Sequence, residues 1–229
     1  MRRPSLIFDT LPRNIVAMTV IFVAQCLTGR CFVISAQGAS DLGQLLGHLP
    51  QKHLFEKRIV IVSEGINSHS ARTIIEQLLG MEAADASKDI WMFLNSPGGE
   101  VNSGFGIYDT IRFIKPDVKI VVTGLAASIA TVIYLAAKKE HRYSLPNSRL
   151  LIHQPLIGGT IQGQATDIEI TANEILKTRQ RLADLYVQEC KQPLDRVARD
   201  IERDYWMTAQ EAKEYGLVTK IVTTWNELT

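Results

Sequence analysis

The sequence predicts an α/β domain on a largely parallel sheet, and three observations carry that prediction. From Arg58 onward, short β-branched runs alternate with stretches of helical periodicity, the rhythm of crossover units. The strand-like runs are apolar along their length, as strands covered on both faces are. The composition, 46% hydrophobic and 21% charged, is that of an ordinary globular domain and disfavours disorder or low complexity.

The elements follow in order. Residues 1 to 53 fit the rhythm poorly and are expected to form an N-terminal extension, with the domain proper at 54 to 229. Residues 58 to 63 read as a buried strand, and 68 to 81 as a helix with Ile74, Ile75, Leu78 and Leu79 inward. Residues 89 to 94 are a second strand. The next helix, 101 to 114, stops before Pro116, because proline disfavours helical backbone in its predecessor. Residues 118 to 123 make a third strand, 127 to 139 a helix of small and apolar residues, and 149 to 152 a fourth strand ending on His153. Thr166 and Glu169 have the spacing of a capping box at the head of a long amphipathic helix reaching about Cys190. Thr208 and Glu211 repeat that spacing before a short helix that closes at Gly216, a good left-handed cap, and a last strand runs from 217 to 222.

Charge and cysteine usage exclude several classes of function. With 25 Lys and Arg against 24 Asp and Glu, the net charge is +1, and nothing points to nucleic acid or to a membrane surface. Three cysteines, Cys26, Cys31 and Cys190, frame no disulfide scaffold, and no Cys or His spacing suits a metal. A reducing compartment fits best. The apolar stretch at 15 to 24 is too short to span a bilayer, for which ~20 residues are needed. With Arg2, Arg3 and Arg13 before it and Ala36, Gly38 and Ala39 after it, it has features of a secretory signal; the alternative is an extension that is removed or buried.

Chemistry-bearing residues lie at the strand-to-helix junctions. Asn95-Ser-Pro-Gly-Gly99 places two glycines where backbone N–H groups come free at a helix start, suited to an oxyanion, although Pro-Gly also makes plain turns. Gly124-Leu-Ala-Ala-Ser128 sets the Ser128 hydroxyl at a corner among residues too small to cover it, either as a nucleophile or as a helix N-cap. Ala126 and Ala130 stand where the nucleophile elbow of α/β hydrolases has glycines, which disfavours that family. His153, held at a strand end, can take a proton from a serine; His48, His53, His69 and His141 read as surface residues. Asp204, followed by Tyr205 and Trp206, is expected to be partly buried at an aromatic edge, where it can orient an imidazole. Each residue alone has a bland reading. Together they supply every role that acyl transfer requires.

These motifs, in this order and spacing, resemble the proteolytic subunit of the caseinolytic (Clp) ATP-dependent protease. The resemblance runs from about Arg58 to Val222 and includes Asn95-Ser-Pro-Gly-Gly99, Ile107-Tyr-Asp-Thr110, Ile114-Lys-Pro-Asp117, Ile152-His-Gln-Pro-Leu156, Glu202-Arg-Asp204 and Tyr215-Gly-Leu217. It implies a crotonase-like fold of repeated ββα units with a long handle helix, the handle covering about 157 to 190. It implies a serine endopeptidase with Ser128 as nucleophile, His153 as base then acid, Asp204 as orienting carboxylate, and the N–H groups of Gly99 and Ile129 as oxyanion hole. It further implies two stacked heptameric rings, an AAA+ unfoldase feeding unfolded polypeptide, and a cytoplasmic location. Trp91, Phe93 and Phe113 fall where the family docks unfoldase loops, with core packing as the alternative. No cofactor is expected, since ATP belongs to the unfoldase and no phosphate-binding Gly-Lys loop is present.

Two departures accompany the resemblance. The Gly-rich turn from Leu156 to Gly163 is two residues longer than the usual form, and the segment before Leu54 lacks the usual axial-loop sequence. Two other functions share parts of this chemistry: a crotonase-type acyl-coenzyme A enzyme, which uses the same kind of oxyanion hole without Ser128, and a non-catalytic subunit filling ring positions.

Overall fold

The computed structural model describes residues 50 to 228 except 157, 160 and 161, together with the backbone of two short strands, β1 (Val23–Gln25) and β2 (Cys31–Val33). All but the last two residues of the apolar stretch at 15 to 24, most of the segment expected to replace the axial region, and three positions of the Gly-rich turn therefore lie outside the described residues. The chain divides into two compact units, Met1–Leu54 and Phe55–Thr229. In the first, β1 and β2 form an antiparallel hairpin.

In the second unit, β3 (Ile59–Val62), β4 (Ile90–Ser96), β5 (Val118–Ala127), β6 (Arg142–Ser144) and β9 (Lys220–Ile221) lie side by side in parallel. Two further strands, β7 (Arg149–Ile152) and β8 (Tyr205–Thr208), extend the sheet, β7 parallel to β5 and β8 antiparallel to β7. A short helix, α1 (50–56), precedes β3 and has residues on both sides of the division after Leu54. Crossover helices α2 (Ser68–Ala84) and α3 (Val101–Phe113) and the post-β5 helix α4 (Ile129–Leu135) cover one face of the sheet. Val60, Met92, Leu94, Ile120 and Val122 are buried beneath them, with Ile74, Leu78, Ile107 and Ile111 from the helices. The period-two rule sends Trp91, Phe93 and Val121 to the other face, where they join Tyr143, Val222 and Leu228 in a smaller apolar cluster.

The β5 strand exceeds its expected length because it serves two neighbours. Ile120, Val121 and Val122 pair with β6, whereas Leu125, Ala126 and Ala127 pair with β7. Between the two halves Gly124 adopts φ +126°, and its N–H is held by the Ser148 hydroxyl at 3.1 Å. The switch of partner sets the end of β5, and the serine after it, beside the end of β7, with Ala127 opposite Leu151.

Several local expectations are corrected. Leu79 faces solvent at 43% exposure while Ile74 and Leu78 are buried, so the inward stripe of α2 is narrower than read. Long helix α5 (Ala165–Cys190) starts before Thr166, with Gln164 as N-cap and no side-chain capping bond. The helix between 127 and 139 contracts to α4, because β5 continues to Ala127. His141 is half-buried and lies 4.0 Å from Asp117. The second capping box forms as expected, Thr208 and Glu211 exchanging bonds at the head of α7 (Ala209–Tyr215), and Gly216 ends that helix at φ +97°. A helix without a sequence signal, α6 (Leu194–Asp200), buries Val197. The expected strand 217 to 222 reduces to β9, since β6 offers it only Tyr143 and Ser144 to pair with.

Only the second half of α5 is buried, through Leu182, Ala183, Tyr186 and Cys190. Ile168, Ile170 and Leu176 in its first half are exposed. The end of α5 is anchored by charge. Arg142, 1% exposed, donates to the Leu135 and Ala137 carbonyls at the end of α4 and to the Glu189 carboxylate, which also holds Arg112 at 2.6 Å.

Candidate active site

Ser128 sits between the last residue of β5 and the first of α4, at φ 57° and ψ −128°. A side chain with a Cβ rarely adopts this backbone, and holding it costs about 1 to 3 kcal/mol. Three bonds hold it. The Ser128 N–H donates to the Leu151 carbonyl of β7 at 3.0 Å, and the Ser128 carbonyl accepts from the Thr131 N–H at 3.0 Å and the Thr131 hydroxyl at 2.6 Å. Ser128 is the N-cap of α4 by position, yet its hydroxyl makes no capping bond. Instead Oγ lies 2.7 Å from His153 Nε2.

His153 follows β7 directly, and its side chain is 13% exposed. Its Nδ1 lies 3.1 Å from Asp204 Oδ1. Asp204 precedes β8, so the antiparallel pairing of Ile152 with Tyr205 carries the two residues to one end of the ladder. The Asp204 side chain is 62% exposed, against the expectation of partial burial: the neighbouring aromatic residues belong to β8 and do not cover the carboxylate. Gln154 fastens the segment before it, its N–H donating to the Ile201 carbonyl at 2.6 Å and its Nε2 to the Glu202 carbonyl at 2.9 Å. Ser128, His153 and Asp204 thus form one continuous hydrogen-bonded row.

The glycine turn lies against the serine. Ile66 donates to the Gly98 carbonyl and accepts from the Glu100 N–H, both at 2.8 Å. A residue whose two flanking peptides are bonded on one side turns its own N–H to the other. Gly99 does so here, and Ile129, the first residue of α4, has an N–H without an intrahelical acceptor. Both residues line a cavity of about 200 Å³ with Ser128 and His153. No side chain fits at the turn. A Cβ on Gly98 would stand 2.5 Å from the Ala127 carbonyl oxygen, and one on Gly99 would stand 2.0 Å from that of Ile66. The apolar wall of the cavity comes from Pro97, Val101, Leu156, Leu182 and Tyr186, the last two from α5.

Sequence reasoning overlooked two side chains that support this geometry. Asn95 accepts from the Leu125 N–H at 3.1 Å and donates to the Ser63 hydroxyl at 3.3 Å, holding β4 to the bend in β5. Its signal was its place at the head of the Asn-Ser-Pro-Gly-Gly run, where a polar amide leaves a buried strand. Gln154 adjoined the histidine in sequence, but its partners lie 48 residues away or nearly so, beyond local pattern.

Trp91 and Phe93 lie together on the far sheet face. Trp225 packs against both, with ring centroids 5.7 and 6.0 Å away, and Lys119 stands 5.2 Å over the Trp91 ring. Phe113 ends α3 in the helical layer and is 82% exposed. The three residues do not form one cluster within the described chain.

Comparison with known proteins agrees with this arrangement. A model of the Clp protease family matches residues 47 to 225. A solved structure of a ClpP1 variant from Listeria monocytogenes is 40% identical and superposes with a TM-score of 0.72, covering 79% of this chain and 100% of that one. A parallel sheet with the crotonase-like arrangement, a serine backed by a histidine, and a family match over most of the length lead to one conclusion: this chain is a member of the Clp protease family, as a proteolytic subunit of the serine-endopeptidase type.

Proposed function

We propose that Ser128, His153 and Asp204 act as the catalytic triad of this subunit, with the Gly99 and Ile129 N–H groups as its oxyanion hole. The observation that carries the proposal is the row of contacts at 2.7 and 3.1 Å between residues 25 and 51 positions apart. In the first half-reaction the neutral His153 imidazole takes the Ser128 proton at Nε2 as Oγ attacks the peptide carbonyl. The carbonyl oxygen gains negative charge between the two N–H donors, and loss of one such donor typically costs ~3 to 4 kcal/mol of transition-state stabilisation. Nε2 then gives its proton to the departing amine, leaving an acyl-Ser128 ester. Water repeats the sequence to release the acid and regenerate the serine. Asp204 accepts from Nδ1–H throughout, fixing the tautomer and favouring the imidazolium.

Family membership implies a ring-forming oligomer that works with a Clp ATPase. We further propose two stacked heptameric rings in the cytoplasm, enclosing the serines and receiving unfolded polypeptide from an AAA+ unfoldase. The exposed apolar residues Ile168, Ile170 and Leu176 support a second surface for the first half of α5. Trp91 and Phe93, with Phe113 supplied by another copy, are proposed as the docking site for unfoldase loops. Replacing Ser128→Ala tests the triad. The variant is expected to assemble with the native mass of the parent while losing peptide hydrolysis and fluorophosphonate labelling; labelling at the parental rate refutes the assignment. A ring-filling subunit without chemistry would instead show no turnover in the parent itself.

A further inference from the structure

The Ser128 carbonyl is tied to α5 through a buried pair of hydroxyls that the triad does not use. Thr131 Oγ1 lies 2.6 Å from the Ser128 carbonyl oxygen and 2.6 Å from the Tyr186 hydroxyl. The Thr131 proton goes to the carbonyl, which cannot donate, so the Tyr186 O–H must be the donor in the second bond. The row therefore runs from Tyr186 O–H to the Thr131 hydroxyl to the Ser128 carbonyl. Thr131 is 0% and Tyr186 1% exposed, and burial pushes the Tyr186 phenol above its usual pKa, which keeps it a neutral donor.

We infer that Thr131 and Tyr186 are positioning residues that hold the nucleophile in its left-handed backbone. Three features support the assignment. The carbonyl they hold belongs to the residue with φ 57° and ψ −128°, so the bond acts on the torsion that aims Oγ at His153. Thr131 occupies the first turn of α4, within reach only because Ser128 is the N-cap, and its hydroxyl adds a second donor to a carbonyl already bonded by the Thr131 N–H at 3.0 Å. Tyr186 lines the cavity beside Ser128, one turn after Leu182, while its hydroxyl is spent on Thr131. A displacement of α5 therefore reaches the serine backbone through two short hydrogen bonds as well as through the cavity wall.

This inference rests on Ser128 being the nucleophile, and the test separates the two. Tyr186→Phe and Thr131→Val each delete one hydroxyl at nearly constant volume. Tyr186→Phe removes one bond and is expected to lower kcat and the rate of Ser128 phosphonylation about 3- to 10-fold, the effect of one buried hydrogen bond, and Thr131→Val, which removes both bonds, at least as much, with KM changed less than twofold in each. The double variant should lose no more than the worse single one, because both changes break the same row. Thr131→Ser should recover most of what Thr131→Val loses. Parental kcat and labelling in both single variants, or fully additive losses in the double, overturn the inference while leaving the triad intact. Parental labelling of Ser128→Ala in the same series overturns the triad instead. If both single variants prove unstable by thermal melting, recovery of labelling by Thr131→Ser decides the matter, and its absence counts against the pair.

Discussion

Replacing Gly98→Ala should damage stability and catalysis together, because Gly98 packs directly against the serine corner. The new Cβ would stand 2.5 Å from the Ala127 carbonyl oxygen, 2.7 Å from Ser128 Cβ and 3.2 Å from the Ile129 nitrogen. The first of these is roughly 0.9 Å short of ordinary contact, which begins at 3.4 Å. The φ of +87° adds a backbone penalty of about 1 to 2 kcal/mol for any residue with a Cβ. Overpacking contributes about 1 to 3 kcal/mol more. Together these amount to roughly 2 to 5 kcal/mol, or a fall in Tm of between about 4 and 20 °C for a chain of this size. Relief of the clash moves the Gly99 and Ile129 donors apart by up to about an ångström, and a misplacement of that size typically costs on the order of 100-fold in rate. Hydrolysis of a fluorogenic peptide, normalised to assembled subunit by native mass and read beside a thermal melt, measures both effects. Gly158→Ala is the control, since its Cβ meets nothing within 4 Å, and it should match the parent. A Gly98→Ala protein with parental Tm and kcat would falsify the claim that the turn is packed against the nucleophile.

Two other outcomes are expected. Arg142→Ala removes a guanidinium bonded to the Leu135 and Ala137 carbonyls and to Glu189, and should lower stability by about 3 kcal/mol, as when one partner of a buried pair is deleted; a Tm within 2 °C of the parent, a shift worth only about 1 kcal/mol at most, would count against that anchoring role. Burial pushes the Cys190 thiol up to about 12, so the reactive thiolate is suppressed at pH 8. Peptide mass mapping after iodoacetamide should find Cys190 unmodified in the native protein and alkylated after denaturation, and rapid native alkylation would refute its burial.

Most of the secondary structure could be read locally. The strands β3, β4 and β7 and the helices α2, α3 and α7 stand close to their expected positions, because apolar periodicity, capping residues and proline act within one or two turns of chain. The capping boxes show the limit of that reading. Thr208 and Glu211 form theirs, whereas Thr166 and Glu169 do not, since α5 starts before Thr166 and the threonine is already inside the helix. Helix α6 and strand β6 carry no local signal: each is short, seven and three residues, and takes its form from neighbours rather than from its own pattern.

The residue types needed for acyl transfer, and their places at strand ends and turns, were visible in the amino-acid string. So was the family resemblance, which depends on order and spacing alone. Their meeting was not, because the row from Ser128 to His153 to Asp204 depends on β5 exchanging β6 for β7 and on β8 pairing antiparallel with β7. A slip of one residue in either ladder would turn the side chains to the opposite face, and no local pattern encodes the register between strands so far apart in the chain. The same holds for Thr131 and Tyr186, 55 positions apart, whose contact exists only because the end of α5 packs against the start of α4. Local chemistry sets what each residue can do, and packing between distant segments sets which of them can do it together.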